Sequence, residues 1–384
     1  MEKLKLFKGA QVFCEDGQFK GVNLLVKGEK IEALLPVTEI VDDAEIIDCT
    51  GKFITPGFVD IHIHGREGFE ATGSIDSLAK CLVKHGVTSF LPTTLTCGFE
   101  ENLNNLAYIK DYINSQPQGG VAEAVGIYSE GMYFSREKAG AQNPAFIRDY
   151  VDTAELDRMI EAAGGHLKVV ALAPEKENAA NAVAHLKARG VRASMGHTMA
   201  TQADAALCVE AGMSGVTHTF DGMSAMTHLD IGASGTAVFT DALYTELIAD
   251  GYHVNKEYIN ILMHFKPADK VIFISDNVGA SGTPEGKTQL GGVPIINLGD
   301  RLVVDNNDGP YSLAGSCLRL CDSIKNVHRF TGIPFERLIP CATVNPAKYI
   351  GVYDRKGSLT VGKDADINIF DTEFNLCTTY AKGE

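Results

Sequence analysis

Tryptophan is absent from this sequence of 384 residues, and its nine cysteines form no Cys-x-x-Cys pair. Without paired spacing, the cysteines predict neither a disulfide framework nor a zinc ribbon, and reduced thiols in the cytoplasm are the simplest interpretation. No apolar run approaches the ~18 residues of a membrane span, and no apolar stretch typical of a secretory signal follows the first residues. We therefore expect a cytoplasmic protein without a membrane partner.

Basic residues are also scarce, since 34 lysines and arginines stand against 49 acidic residues, which gives a formal net charge of −15. No basic run or patch is visible, so nucleic acids and anionic membranes are disfavoured as partners. The hydrophobic share of 45 % is typical of a globular protein with a large core. At this length we expect one large domain with a smaller accessory domain.

Both ends of the chain carry short apolar runs separated by turn signals. The amino-terminal part contains the runs Leu4–Phe7, Gly9–Phe13 and Val22–Lys27, with Glu15-Asp-Gly as one of the turns. The stretch Leu359–Asp371 has the same character. We therefore predict one small β domain that residues 1–53 and 352–384 form together.

Between these ends, residues 54–351 alternate apolar runs of strand length with segments whose apolar residues have helical spacing. The predicted strands are Phe58–His62, Thr88–Thr94, Val121–Tyr128, Val169–Leu172, Ala193–Gly196, Gly215–Thr219 and Val271–Ser275. The predicted helices include Ile75–His85, Leu156–Ala163, Ala179–Arg189 and Gln202–Ala211. Such alternation indicates a parallel sheet with helices on both faces. An open doubly wound sheet and a closed barrel both fit this pattern.

The sharpest local motif is Pro56-Gly-Phe-Val-Asp-Ile-His-Ile-His-Gly65. Successive side chains of a strand alternate between its faces, so His62 and His64 point the same way. Two imidazoles on one face at the carboxyl end of a strand provide half of a metal site. A bare His-x-His is more often a pair of half-exposed strand residues, but the apolar strand before it and the glycine after it favour the metal site.

Four further candidate ligands come directly after apolar runs, namely Glu130, His197, His218 and Asp276. The carboxyl ends of barrel strands meet at one mouth, where side chains from distant parts of the chain converge. Any one of these residues alone is more often a helix cap, a surface carboxylate or a core histidine. Together with the His-x-His pair, they indicate one metal centre.

The residues His-x-His, Glu, His, His and Asp occur in this order at strand ends, between two chain ends that form one β domain. This arrangement resembles the amidohydrolase superfamily. Within it, the chain is similar to the N-acetylglucosamine-6-phosphate deacetylases. The most specific matching stretches are Lys138-Ala-Gly-Ala-Gln-Asn-Pro and Ile248-Ala-Asp-Gly-Tyr-His-Val, whereas Gly357-Ser-Leu-Thr-Val-Gly-Lys-Asp-Ala-Asp occurs throughout the superfamily. The resemblance runs nearly end to end. It implies an α/β fold, a (β/α)8 TIM barrel with a small β-sandwich domain from both termini.

The resemblance also implies roles at the metal centre. One divalent ion would be held by Glu130, His197 and His218, and a second one would be added by His62 and His64. Asp276 would be the general base and acid. Zinc, iron and manganese all suit such ligands, and the sequence chooses neither among them nor between one ion and two.

Substrate contacts follow from the same resemblance. The implied sugar-binding positions are Gln142 and His253, with the backbone around Ala141, Gly222, Leu313 and Ala314. Family members bind the substrate phosphate with an arginine that reaches across a dimer interface, which predicts a homodimer. This chain has Leu229 at the position of that arginine and Asp221 where the family usually has asparagine. We therefore predict altered phosphate recognition, with Arg66 as the candidate replacement cation.

The expected activity is metal-dependent hydrolysis of the acetamide of a small-molecule amino sugar, first of all N-acetylglucosamine 6-phosphate to glucosamine 6-phosphate and acetate. One alternative is a non-phosphorylated or otherwise different N-acyl amino sugar. Another is a different amidohydrolase chemistry, such as cyclic-amide opening or aryl deamination. A catalytically inactive binding protein is disfavoured, because all five metal-ligand candidates and Asp276 are present.

Overall fold

The computed structural model describes residues 3–306 and 312–384. Its largest unit is a ring of parallel strands, which we number β1 to β8: Phe58–Ile63, Val87–Thr94, Ile127–Glu130, Leu167–Leu172, Arg192–Met195, Gly215–Val216, Tyr244–Leu247 and Val271–Phe273. Neighbouring strands pair in this order, and a short strand, Glu123–Ala124, precedes β3 and also pairs with β2.

The ring closes between β8 and β1. The backbone N–H of Asp276 donates to the carbonyl oxygen of His62 at 2.9 Å, and that of His64 donates to the carbonyl oxygen of Asn277 at 2.8 Å. An open sheet would leave these edge groups unpaired. The closed barrel that the family resemblance implied is therefore confirmed, and the doubly wound alternative is wrong.

A helix follows each barrel strand in turn. These helices are Ile75–Val83, Phe99–Ser115, Thr153–Ala162, Ala179–Ala188, Gln202–Ala211, Gly232–Phe239, Lys256–Phe265 and Leu320–Thr331. Two more helices, Phe335–Ala342 and Val344–Tyr349, come after the last of them, and 3-10 turns lie at Arg136–Lys138, Pro144–Phe146 and Ala268–Lys270. Strand–helix alternation around a closed ring gives the (β/α)8 fold.

Local sequence signals explain where several helices begin and end. Before the helix Gln202–Ala211, the side chain of Thr201 accepts a hydrogen bond from the N–H of Asp204, and the Asp204 carboxylate bonds back to Thr201. This capping box satisfies backbone groups that the first helical turn leaves unpaired. Gly212 ends the helix with φ of +119°, a conformation that glycine adopts without strain.

A small antiparallel sheet is inserted between β8 and its helix. Its strands are Gly286–Leu290, Val293–Asn297 and Leu302–Val304. The buried residues Val278, Leu290, Ile295 and Leu302 form its own apolar cluster with Ala314. This insertion lies beside the carboxyl end of β8 and forms part of the barrel mouth.

The small β domain combines the two ends of the chain in two sheets. One sheet contains Lys30–Leu35, Asn23–Lys27, Leu4–Lys8 and Glu45–Asp48; the other contains Leu376–Tyr380, Ile367–Phe370, Phe53–Pro56, Gln11–Phe13 and Phe19–Gly21. Their buried residues, such as Phe7, Leu24, Ile54 and Ile367, share one apolar cluster. The boundary after residue 53 stays a prediction, because the strand Phe53–Pro56 belongs to this sheet and runs into β1.

Some predicted elements differ from the observed ones. The predicted strand Val121–Tyr128 is two separate strand segments, and the helix predicted to reach His85 ends at Val83. Strand β7 was not predicted, since Glu246 interrupts a short apolar run, and the inserted sheet was not predicted either. No helix among the described residues is both long enough and apolar enough to cross a membrane.

Candidate metal centre

Six side chains meet at the mouth of the barrel because each follows or ends a barrel strand. His62 lies in β1 with His64 just beyond it, and Glu130 is the last residue of β3. The remaining three follow β5, β6 and β8, and they are His197, His218 and Asp276. Parallel strands of a barrel end at one rim, so residues far apart in sequence converge there.

The carboxylate of Glu130 lies at the centre of the cluster. Its Oε1 is 3.2 Å from Nε2 of His197 and 3.0 Å from Nε2 of His218. Its Oε2 is 3.2 Å from Nε2 of His64 and 3.5 Å from Nε2 of His62. One carboxylate therefore faces all four imidazoles of the cluster.

Asp276 completes the cluster on the side of the His-x-His pair. Its Oδ1 lies 3.3 Å from Nε2 of His64 and 3.5 Å from Nε2 of His62. On the opposite side, the two Nε2 atoms of His197 and His218 are only 3.1 Å apart. Here two ring nitrogens face each other at 3.1 Å and both lie within 3.2 Å of the Glu130 carboxylate. Such an arrangement is typical of ligands around a cation.

Each imidazole is oriented by an acceptor on its Nδ1 side. His64 donates to the carbonyl oxygen of Thr93 at 3.1 Å, and His197 donates to that of Lys138 at 2.7 Å. These bonds, with those of the other two histidines, direct all four Nε2 atoms into the cluster. Backbone carbonyl and carboxylate partners of this kind fix the tautomer and the ring orientation of metal-binding histidines.

The backbone is strained at three of the six positions. The φ angles of His197, His218 and Asp276 are +45°, +29° and +48°. Residues with a Cβ rarely adopt these values, and each instance costs about 1–3 kcal/mol. Such strain persists where the surrounding structure requires a particular side-chain direction, which supports a functional role for this rim.

The electrostatics show strong mutual attraction within the cluster. Burial alone would lower the pKa of His64, but the carboxylates of Asp276 and Glu130 outweigh it and raise that pKa to about 9. Burial is likewise outweighed at His218, mainly by Glu130, and its pKa is also about 9. The imidazoles in turn hold the pKa of Glu130 well below its ordinary value despite burial. The site therefore favours ionised carboxylates that are matched by positive charge.

The donor set fits one or two divalent ions. Two groups, His62–His64–Asp276 and Glu130–His197–His218, each have ligand atoms within 4.8 Å of one another. Nε2 of His62 is buried and has no hydrogen-bond partner among the described residues. Imidazole and carboxylate ligands suit zinc, iron and manganese. A role as a metal ligand would explain why this buried nitrogen, which lies beside two carboxylates, has no hydrogen-bond partner.

The cluster opens into a cavity of about 290 Å³. Of the predicted substrate contacts, five line this cavity, namely Ala141, Gln142, Asp221, Gly222 and Leu313. The Gln142 amide donates to Glu130 Oε2 at 2.7 Å, so it also orients the central carboxylate. Gly222 has φ of +59°, and a side chain there would lie 3.2 Å from the His197 ring. This glycine permits close approach of the backbone to the centre.

Three predicted contacts do not line the cavity. The His253 side chain is only 1 % exposed and donates to Asp250 at 2.6 Å. The N–H of Ala314 donates to the carbonyl oxygen of Leu302 in the inserted sheet. The guanidinium of Arg66 is buried and donates to the Asn277 side chain. Arg66 therefore points away from the place where a substrate would bind.

Two residues of this site, Lys138 and Glu246, were not predicted as site residues from the sequence. Among the described residues, Lys138 is the only lysine or arginine that lines the cavity. Glu246 of β7 lies 2.9 Å from Nδ1 of His62. The available signals were the position of Lys138 in a family-specific motif and a charged residue inside the apolar strand Tyr244–Leu247.

Comparisons with known proteins agree with this geometry. The pattern of the amidohydrolase family matches residues 53–384. The N-acetylglucosamine-6-phosphate deacetylase of Bacillus subtilis is 34 % identical over 86 % of this chain and 83 % of its own length. The N-acetylgalactosamine-6-phosphate deacetylase of Escherichia coli O157:H7 is 31 % identical over 99 % of this chain and 98 % of its own. The crystal structure of the Pasteurella multocida N-acetylglucosamine-6-phosphate deacetylase superposes with a TM-score of 0.91 at 27 % identity, covering 99 % of each chain.

A closed (β/α)8 barrel with imidazole and carboxylate ligands at its mouth defines a metal-dependent amidohydrolase. The chain belongs to the amidohydrolase family and, within it, to the N-acetylglucosamine-6-phosphate deacetylases. The predicted enzyme class is thereby confirmed. The family is metal-dependent, and the mouth of the barrel provides the candidate site for the metal.

Proposed function

We propose that this enzyme removes the acetyl group from N-acetylglucosamine 6-phosphate and releases glucosamine 6-phosphate and acetate. The observation that carries this proposal is a cluster of four imidazoles and two carboxylates that opens into a cavity lined in part by Lys138. Relatives that resemble the chain over most of its length act on 6-phosphates of N-acetylated amino sugars.

An acetamide is hard to hydrolyse, because its carbonyl is a weak electrophile and its amine is a poor leaving group. Glu130 and the four histidines would hold one or two divalent ions, which when bound would acidify a water and polarise the carbonyl. The carboxylate of Asp276 lies at the cavity wall, where it accepts a proton from the attacking water and delivers it to the departing amine nitrogen. Gln142 holds the Glu130 carboxylate in place throughout.

We assign recognition of the phosphate to Lys138. Leu229, at the position of the family's arginine, is 87 % exposed and carries no charge. Arg66 is turned toward Asn277, which leaves Lys138 to meet an anionic substrate within the cavity. Asp221 also lines the cavity and would repel a phosphate that came close to it. This carboxylate is the feature that favours the alternative, a substrate without a phosphate.

Kinetics on matched sugars test the proposal. We expect kcat/KM to be far higher for N-acetylglucosamine 6-phosphate and N-acetylgalactosamine 6-phosphate than for the free sugars. Lys138→Met should lower kcat/KM for the phosphorylated sugars by ~10–100-fold, the value of a hydrogen bond to a charged group, and leave the free sugars unaffected. Lys176→Met is the matched control, because Lys176 bonds Asp149 instead of lining the cavity. Equal turnover of free and phosphorylated sugars would establish the alternative.

We further propose that the enzyme is a homodimer in the cytoplasm. Exposed Leu229 lies in the loop whose arginine reaches a neighbouring subunit in the family, so an apolar contact can replace the ionic one. The nine cysteines are all free, which supports a reducing compartment. Light scattering on wild type and Leu229→Glu tests the dimer, since a monomer in both would contradict it.

A further inference from the structure

Glu246 is a fully buried carboxylate directly behind the candidate metal centre. It lies on β7 and is 1 % exposed. Its Oε2 is 2.9 Å from Nδ1 of His62 and 3.3 Å from the backbone N–H of His218. Its Oε1 is buried and has no hydrogen-bond partner among the described residues. No lysine or arginine of the described chain pairs with it, so its interactions are directed at the two histidines.

His62 differs from the other three histidines of the centre in its Nδ1 partner. Those three donate to backbone carbonyl oxygens, of Thr93, Lys138 and Asp221. Only the ring of His62 is held by a carboxylate. A carboxylate binds an N–H more strongly than a carbonyl does, and it raises the basicity of the opposite ring nitrogen.

The surroundings of Nε2 make this carboxylate necessary. Nε2 of His62 lies 3.5 Å from both Glu130 and Asp276. Without an acceptor at Nδ1, these two carboxylates would draw the ring proton to Nε2, where it would block a metal ion. The ring cannot turn to escape, because it is fully buried and lies against the Tyr128 ring at 4.8 Å between centroids.

We propose that Glu246 is a positioning residue that keeps the proton of His62 on Nδ1 and so controls metal occupancy of the group His62–His64–Asp276. The second group, Glu130–His197–His218, keeps its own Nδ1 partners and does not depend on this bond. The inference concerns metal binding and rests on the proposed function only in assigning a metal to this site. It is tested without substrate, so failure of the deacetylase proposal would leave the test valid.

The experiment uses metal-depleted full-length protein titrated with Zn²⁺ in competition with a chelator, with bound metal measured by mass spectrometry. For Glu246→Leu, we expect a loss of one bound ion per chain or a ~10–100-fold weaker affinity for it, the usual effect of removing such a partner. Glu246→Gln keeps an acceptor oxygen without the charge and should give an intermediate affinity. Tyr128→Phe is the matched control, since it alters a buried neighbour of His62 and leaves Glu246 in place.

A second readout separates proton control from simple structural support. In ¹⁵N-histidine-labelled, zinc-loaded protein, the His62 Nδ1–H signal should be sharp and slowly exchanging in wild type and Tyr128→Phe, and lost to fast exchange in Glu246→Leu, where no acceptor holds the proton. Wild-type stoichiometry and affinity in Glu246→Leu would overturn the proposal, as would a His62 Nδ1–H signal that persists in this variant. If Glu246→Leu does not fold, an unaltered affinity and Nδ1–H signal in Glu246→Gln would overturn it equally.

Discussion

Two clusters of buried charge lie at opposite ends of the barrel. The mouth cluster consists of His62, His64, Glu130, His197, His218 and Asp276, and the base cluster of Glu123, Arg355, Lys356, Asp364, Asp366 and Lys382. Glu123 precedes β3 and Glu130 ends it, so one side of the barrel contributes to both clusters. The mouth cluster contains two carboxylates and the base cluster contains three, but different cations face them.

At the base, lysine and arginine meet every carboxylate. The fully buried Nζ of Lys356 lies 2.8–2.9 Å from Glu123, Asp364 and Asp366, and Arg355 bonds two of the same three. At the mouth, no lysine or arginine among the described residues pairs with Glu130 or Asp276. Lysine and arginine remain charged, so they neutralise the carboxylates of the base cluster permanently, and this cluster is structural. Imidazoles can lose their protons, so the mouth cluster can bind a metal ion instead.

The largest expected effect is on catalysis at the mouth. Asp276→Asn keeps the shape of the side chain but removes its ability to accept a proton, so kcat should fall by ~10²–10⁴-fold. Circular dichroism serves as the control, because the fold should be retained. A variant with wild-type kcat would show that Asp276 is not the catalytic carboxylate, and the functional contrast between the two clusters would then be wrong.

The next effect is on stability at the base. Lys356→Met leaves Glu123, Asp364 and Asp366 without their shared cation, and the free energy of unfolding should fall by about 3–5 kcal/mol in urea titrations. The kcat of the folded fraction should be unchanged. Lys3→Met is the control, because the Lys3–Glu45 pair is exposed and a surface ion pair contributes little to stability. Equal losses in the two variants would contradict a structural role for the base cluster.

Metal removal should act on the mouth alone. Chelation is expected to abolish activity and to lower the melting temperature, since a metal present at 100 times its Kd stabilises the fold by about 2.7 kcal/mol. Lys356→Met should show the same metal-dependent shift as wild type, because distant sites contribute additively. A smaller shift in Lys356→Met would show that the two clusters are coupled.

Low pH should reduce the stability that the base cluster contributes to the fold. Burial opposes ionisation of Glu123 and Asp364, but Arg355 and Lys356 outweigh it and hold both pKa values below their ordinary values. Their contribution to stability is therefore present above the unfolded pKa of about 4 and is lost as the pH falls through the folded values. Urea titrations between pH 5 and 3, in wild type and Lys356→Met, should show a shallower loss in the variant. If stability falls equally with pH in the two proteins, groups outside the base cluster cause the acid sensitivity.

The smallest effect concerns a buried lysine that pairs with no carboxylate of residues 3–306 and 312–384. Lys266 donates to the carbonyl oxygens of Ala237 and Thr240, and burial lowers its pKa to about 8. The folded state thus binds fewer protons than the unfolded state between pH 8 and about 10.4, so stability should rise with pH in this interval. Lys266→Gln should reduce that rise. An unchanged slope would show that Lys266 does not titrate there.

Much of this protein could be predicted from short stretches of sequence. The spacing of apolar residues predicted the helix Gln202–Ala211 with its observed bounds, and the alternation of side chains in β1 predicted that His62 and His64 share a face. These features depend on periodicity and capping, which neighbouring residues determine. The identity of the six candidate ligands followed from their positions after apolar runs, and their catalytic roles remain proposals.

The sequence by itself determined the chemistry that is available, because residue types and local spacing decide which groups a strand end presents. Only the tertiary structure decided which of them meet. Glu246 and His62 are 184 positions apart, and their contact exists because the barrel closes. Closure also turned Arg66 away from the cavity and placed Lys138 at the cavity wall. Long-range packing fixes such directions, and no local pattern encodes them.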